Sequence, residues 1–322
     1  MSRSPGASRT FLVLLLAACS TSAPTPRRAA EPGKAPAPSV TPAGQVYAIG
    51  AEAEGVAVDP VTHVAAIGVR SPFGLALVDT RTGRLIRTLP LPGHVRHLAA
   101  RGSQILVPVE DAGRLLVVDL PEGTIHEDVA TPGYPHGVSA VGAEGAVVGN
   151  ERGARVSLVR GGAVLRTATG FPQPGGSAVT ADGIYIVDVS SWRLTRLGLD
   201  LSPGPSVAAG AGPTHAIADA AGNVVVADTR GDAVLVFSPG LQQRQRIPLA
   251  GRPYGLAYDP VRDTVWVTLT ATNEVVALTG PSRRIAGRWP TVRQPNTVGV
   301  DSSTGTVVVA SRSDGTVELI HA

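Results

Sequence analysis

One pattern constrains this chain more than any other: a unit of about 40 residues recurs seven times. The stretch GVAVDPVTHVAAIGV from Gly55 has a close echo in GLAYDPVRDTVWVTL from Gly255. Weaker copies begin at Ala216 (AIADAAGNVVVAD), Thr297 (TVGVDSSTGTVVVAS) and Ser177 (SAVTADGIYIVDV), and the most divergent ones at Gly137 and His97. Successive starts lie 39 to 42 residues apart. A unit of that size has room for four short strands and cannot bury both of its own faces. It must stack against its neighbours, and a closed ring of such sheets is a β-propeller. The 38 Gly and 27 Pro agree, because these residues punctuate strands and stop helices.

Within the first unit the apolar runs predict strands at 55–59, 63–69, 74–79 and 85–91, with DTRTG at Asp79–Gly83 as the turn before the last. The opening position of each unit is small (Gly55, Gly137, Ser177, Ala216, Gly255, Thr297), except for His97. Strands that converge on an axis need one slim face, so His97 is expected either to pack between blades or to join a cluster at the mouth. The seventh unit has only three strands, at 297–301, 306–310 and 316–321. QVYAIG at Gln45–Gly50 is a strand without a unit. The expectation is an all-β, seven-bladed propeller over 45–322, its last blade closed by residues 45–50.

NVVVADTRGDAVLVF, DTVWVTLTATNEVVALTG and LVDTRTGRLIRTLPLPG resemble the YVTN and NHL-type propeller repeats of bacterial envelopes. The resemblance spans nearly all of 45–322 and implies architecture more than activity, since function is argued from a site. The polar residue that closes the YVTN-like motif is Asn150, Asp188, Asp228 and Ser311 in four units, but Val69, Val109 and Leu269 in the others.

The amino terminus reads as an address. Arg3 and Arg9 precede an apolar run at 11–18, and Leu16-Ala17-Ala18-Cys19 resembles the bacterial lipobox. Cys19 is the one cysteine, so a disulfide within the chain is excluded and its thiol is read as the lipidation site. The resulting expectation is a signal peptide at 1–18, a lipidated Cys19 with a Pro/Ala-rich spacer at 19–44, and an extracytoplasmic protein anchored to the cell envelope on its periplasmic or surface face. Five of the 28 cations and one of the 25 acidic residues precede residue 45, which leaves 23 Arg against 24 acids after it. That near-neutral balance argues against nucleic acid as a partner. A monomer is expected.

Loops that enter inner strands and loops that leave second strands open on one face of a propeller, around the channel mouth, where ligands bind. The entry residues are Glu54, Arg96, His136, Gly176, His215, Tyr254 and Asn296. Second-strand exits add Arg70, Glu110, Asp111, Glu151, Arg152, Asp188, Trp192, Asp228, Arg230 and Arg312. Glu54, Arg96, His136, His215, Tyr254, Asn296, Asp188 and Asp228 are therefore the candidate ligand-binding residues. Three uses compete. The face would bind a protein, peptide or glycan through its Arg and aromatic anchors, and this scaffold reading is the main one. Alternatively, a lyase or lactonase would use His136 or His215 as base with Arg96 or Tyr254 as helper. No cofactor is called for, although His136 and His215 with Asp188 or Asp228 would suit a divalent metal. Phosphate-binding loops, nucleophile elbows and dinucleotide fingerprints are absent from the sequence.

Overall fold

A computed structural model describes Met1 and residues 27–321 of the chain. The signal peptide and Cys19 expectations fall outside the described residues, apart from Met1.

Seven four-stranded antiparallel sheets stand around one axis. Blades 1 to 6 take residues 56–90, 99–130, 135–169, 174–208, 213–248 and 253–290. Blade 7 takes three strands from 295–321 and receives Gln45–Ala48 as its outermost strand. Apart from the 3-10 turn Glu151–Gly153, all regular structure among the described residues is strand, and no helix is long and apolar enough to cross a membrane. The closing strand pairs antiparallel in the register Gln45↔Leu319, Val46↔Glu318, Tyr47↔Val317 and Ala48↔Thr316. Strand bounds in blade 1 (Val56–Asp59, Val64–Arg70, Phe73–Asp79, Leu85–Pro90) fall within a residue of those expected.

The core lies between blades. Leu75 and Leu77 of blade 1 pack on Ile105, Val107 and Leu116 of blade 2. At the seam of the ring, Val308, Ala310 and Val317 of blade 7 meet Ile67, Ala76 and Val78 of blade 1. Each fully buried Leu or Val contributes about 1.5–3 kcal/mol, so every blade depends on both neighbours. Trp266 is core, 5.2 Å from the Trp289 ring. Asp59, Asp219, Asp259 and Asp301 hold the turns that follow the inner strands, accepting backbone N–H bonds from Val61, Ala221, Val261 and Ser303 at 2.9–3.1 Å.

The segment before the propeller differs from the spacer expected of it. Residues 27–44 have no regular secondary structure until Gln45, yet they lie on the mouth face and along blades 6 and 7. Ala30 and Ala35 are buried there, and Ala43 N donates to Pro290 O at 2.9 Å. Small and imino residues cannot build a core, but they fit a surface whose donors meet their backbone. That is why composition alone read this stretch as a free tether.

Candidate functional site: the channel mouth

Five inner strands begin with proline: Pro135, Pro174, Pro213, Pro253 and Pro295. Proline has no N–H to give a ladder, so it is tolerated at a strand's first residue. In all five blades the pairing register shifts just after it. An irregularity of that kind turns side chains out of the pleat. Here it sits at His136, His215, Tyr254 and Asn296.

Glu54 is the hub of one side of the mouth. It is 1% exposed, and its Oε2 lies 2.7 Å from Arg70 Nη2 and 3.2 Å from Arg312 Nε. Its Oε1 accepts from Arg96 and from Asn296 Nδ2, each at 3.3 Å. Three guanidinium groups around one carboxylate leave a surplus of positive charge facing the mouth. Burial alone would pull the Arg96 guanidinium down, but the charges of Tyr254, Glu54, Glu110 and Glu151 outweigh it and hold Arg96 above its ordinary value.

Beside this hub, the entry residues form a chain of rings. Glu110 Oε1 pairs with His136 Nδ1. His136 Nε2 lies 3.0 Å from His97 Nε2, and His97 Nδ1 lies 3.3 Å from His215 Nε2. The His215 ring then meets Tyr254 edge-on, centroids 4.4 Å apart. His97, the exception to the small-residue rule, is thus the link that joins blades 3 and 5 across the axis. His97 and His215 keep some exposed surface toward the channel, but their depth disfavours the charged ring. Burial, with the neighbouring His136 and Arg96, pushes His215 down to about 3 and His97 well below its usual value. Burial also raises Tyr254. Glu110 goes the other way: burial works against its charge, but the His136 hydrogen bond and the charges of His136, His94 and Arg96 hold it below the usual carboxylate range.

Glu110 Oε2 lies against His94 Nε2, and His94 Nδ1 against Asp111. Tyr134 Oη is 3.1 Å from the same His94 Nε2, with Arg152 stacked 3.7 Å over its ring. Glu151 Oε2 is 3.5 Å from His136 Nδ1. One donor atom each from Glu110, His136 and Glu151 fall within 4.8 Å of one another, a nitrogen and oxygen set that suits a divalent ion.

Six of the eight candidate residues (Glu54, Arg96, His136, His215, Tyr254, Asn296) therefore meet at the mouth, and two do not. Asp188 accepts from the backbone N–H of Gln173 and Ser191 at 2.8 and 2.7 Å. Asp228 accepts from Ala211 and Gly231 at 2.9 and 3.3 Å. Both carboxylates brace loops, so the set expected from His136, His215 and these aspartates does not come together, and the cluster with metal-like spacing is Glu110, His136 and Glu151. The residue that closes a second strand points along its own loop at Asp188 and Asp228 but into the mouth at Arg70, a difference that a repeat alignment cannot show. His94 was missed altogether, because the loop before blade 2 carries no repeat signal.

The channel itself holds about 180 Å³ and is lined by Gly55, His97, Gly137, Ser177, Gly255 and Thr297. Above it, a pocket of about 710 Å³ opens over blades 7, 1, 2 and 3, with Glu54, Arg70, Arg96, Glu110, Tyr134, Glu151 and Arg312 in its wall. That volume accommodates a drug-sized molecule. Over His97, His136 and His215 only about 40 Å³ remains beneath residues 29–31.

No family model matches the chain, and no curated protein matches it. Solved structures do. Virginiamycin B lyase from Staphylococcus aureus superposes with a TM-score of 0.73 at 13% identity, over 86% of this chain and 98% of that one. A streptogramin B lyase gives 0.74 at 12% identity, over 87% and 97%. Hydrazine synthase from Kuenenia stuttgartiensis gives 0.74 at 14%, over 84% and 96%. At such identities the likeness is one of fold: a seven-bladed propeller of the kind those lyases have.

Proposed function

We propose that this protein is an extracytoplasmic enzyme of the lyase type, working at the channel mouth by proton transfer through the Glu110–His136–His97–His215 chain. That continuous run of hydrogen-bonded rings, ending on an ionised carboxylate, is the observation that carries the reading. A scaffold needs only a rim of anchors; it has no use for three imidazoles in line, one of which has an Nδ1 without a partner among the described residues. The fold likeness to two lyases adds support, as does a solved S. aureus lyase whose His-to-Ala variant is described as catalytically inactive, with quinupristin.

The arrangement suits elimination beside a carbonyl. An imidazole nitrogen takes a proton from the carbon next to the carbonyl, and the electron pair left behind forms a carbon–carbon double bond. The group on the adjacent carbon then leaves with its bonding electrons. Glu110 on His136 Nδ1 offsets the charge that the ring gains, as an orienting carboxylate does for a general base. Arg70, Arg96 and Arg312 face the developing oxyanion and the departing anion with more positive charge than Glu54 cancels. A divalent ion held by Glu110, His136 and Glu151 would take the place of the Glu110–His136 hydrogen bond and would supply Lewis-acid chemistry instead of the proton chain.

The test is turnover of quinupristin, followed by mass spectrometry. Elimination leaves a new double bond and adds no water, whereas a lactonase adds one. His136→Ala and Glu110→Gln should each cost about 10²–10⁴-fold in kcat/KM. Equal turnover by His136→Ala and the parent would end this reading, as would a product that has gained water.

A further inference from the structure

Residues 27–36 (RRAAEPGKAP) cross the mouth as an extended strap, and the rim holds them mainly through hydrogen bonds to their backbone. Arg27 N donates to Ser190 O at 2.6 Å in blade 4. Arg230 of blade 5 donates from Nη2 to the carbonyls of Arg28 and Ala29, both at 2.9 Å. In blade 6, Gly33 N donates to Thr270 Oγ1 at 2.7 Å, and Asn273 Nδ2 donates to Pro36 O at 3.0 Å. Gln294, at the entry to blade 7, donates to Gly33 O. Hydrogen-bonding groups from four blades, donors on blades 5 to 7 and an acceptor on blade 4, thus meet the main chain, while the Arg27 side chain stacks 4.6 Å over the Trp192 ring.

The side chains that do face inward are small. Ala30 and Ala35 are 7% and 5% exposed, and Gly33 lies so close to blade 6 that an added Cβ would stand 2.7 Å from Ala271 Cβ and 2.9 Å from Ala271 N. A surface whose side-chain donors meet a main chain at several points, with shallow seats for Ala and Gly, is a peptide groove, and proline at Pro32 and Pro36 lowers the cost of the extended form.

We infer that the rim of blades 4 to 7 is a binding groove for an extended peptide of small and imino residues, and that residues 27–36 occupy it in cis. This goes beyond the proton chemistry proposed above, and its test needs no turnover. The strap also leaves only about 40 Å³ over the three histidines on the mouth side, so lifting it widens the approach to them from that face. A tethered occupant competes at an effective concentration on the order of millimolar, which hides the groove from a free ligand of moderate affinity.

The probe is a labelled synthetic peptide of residues 27–36, titrated by fluorescence anisotropy against three proteins: the intact chain, a chain lacking residues 1–36, and full-length Gly33→Val, whose strap cannot seat. Both altered proteins should bind it at least about tenfold more tightly than the intact chain does. Arg230→Ala placed in the trimmed chain should weaken it by about tenfold, having lost a charged donor to two carbonyls. Should the trimmed chain fail to fold, Gly33→Val carries the comparison, since it leaves every blade intact. Equal affinity for intact and altered proteins would overturn the inference. So would no binding to a folded altered protein, or equal binding of the all-D peptide.

Discussion

His97 is the residue on which the mouth turns. It stands where six other units carry Gly, Ala, Ser or Thr, and it spends that extra volume bridging His136 and His215. Burial and the charges of His136 and Arg96 disfavour a proton on His97 and on His215, and Arg70 and His215 add to the effect at His97. Folding therefore depends on pH in a definite direction. In the unfolded chain a histidine takes its proton near about pH 6.5. In the folded chain His215 waits until about 3 and His97 until well below its usual value. Stability is thus complete above the unfolded value and declines as pH falls through the window beneath it, by up to about 1.4 kcal/mol per pH unit for each ring. Glu110, whose carboxyl is also held low, adds loss of the same sign at the acid end. Urea midpoints taken near about pH 7 and about pH 5 should fall for the parent and fall less for His215→Gln, which cannot titrate. An unchanged acid slope in that variant would show that the ring is not held neutral.

At the scale of the element, the inner strand explains why the repeat looks as it does. Its small residues are small because the next blade's backbone arrives against them. A Cβ at Gly137 would collide with Gly175 O, and one at Gly176 would lie 2.6 Å from His215 Cα. Neither glycine needs an unusual φ, so the constraint is one of space. Gly137→Ala should cost about 1–3 kcal/mol through overpacking, measured by chemical denaturation, and a neutral result would show that blades 3 and 4 can part. The strand pattern and this size rule were legible in the residues, because period-two alternation and steric limits act within one unit. The aim of the entry side chains was less so. The sequences PHG, PGG, PTH, PYG and PNT at the strand starts recur visibly, but their meaning depends on the register shift that follows each proline. Asp188 and Asp228 share the strand-closing position of Val109 in an alignment, one residue before that of Glu110, and they cap loop N–H groups while Glu110 faces a ring.

For the whole molecule, closure decides whether seven sheets form one body. The strand Gln45–Ala48 supplies four register pairs to blade 7, and Glu318, wholly buried beneath it, accepts from Gly44 N at 2.7 Å and Val292 N at 2.9 Å. Deleting residues 45–50 removes those pairs and uncovers the buried Glu318 carboxylate beneath them, so the thermal midpoint should drop by about 10 °C or more by circular dichroism. A deletion protein that keeps the parent's midpoint would mean that the ring is held without its clasp. The number of blades, their order and the need for a closing strand were all determined by the sequence alone, because a repeat that cannot bury its faces has to stack, and seven starts with one incomplete unit admit a single ring. What the tertiary structure decided was which loop residues meet. The Glu110–His136–His97–His215 chain joins side chains up to 118 positions apart, and the strap settles on blades 4 to 7 through its backbone atoms. Neither carries a local signature, since contact across an axis depends on where strands converge, and a main chain offers the same carbonyls whatever its residues are.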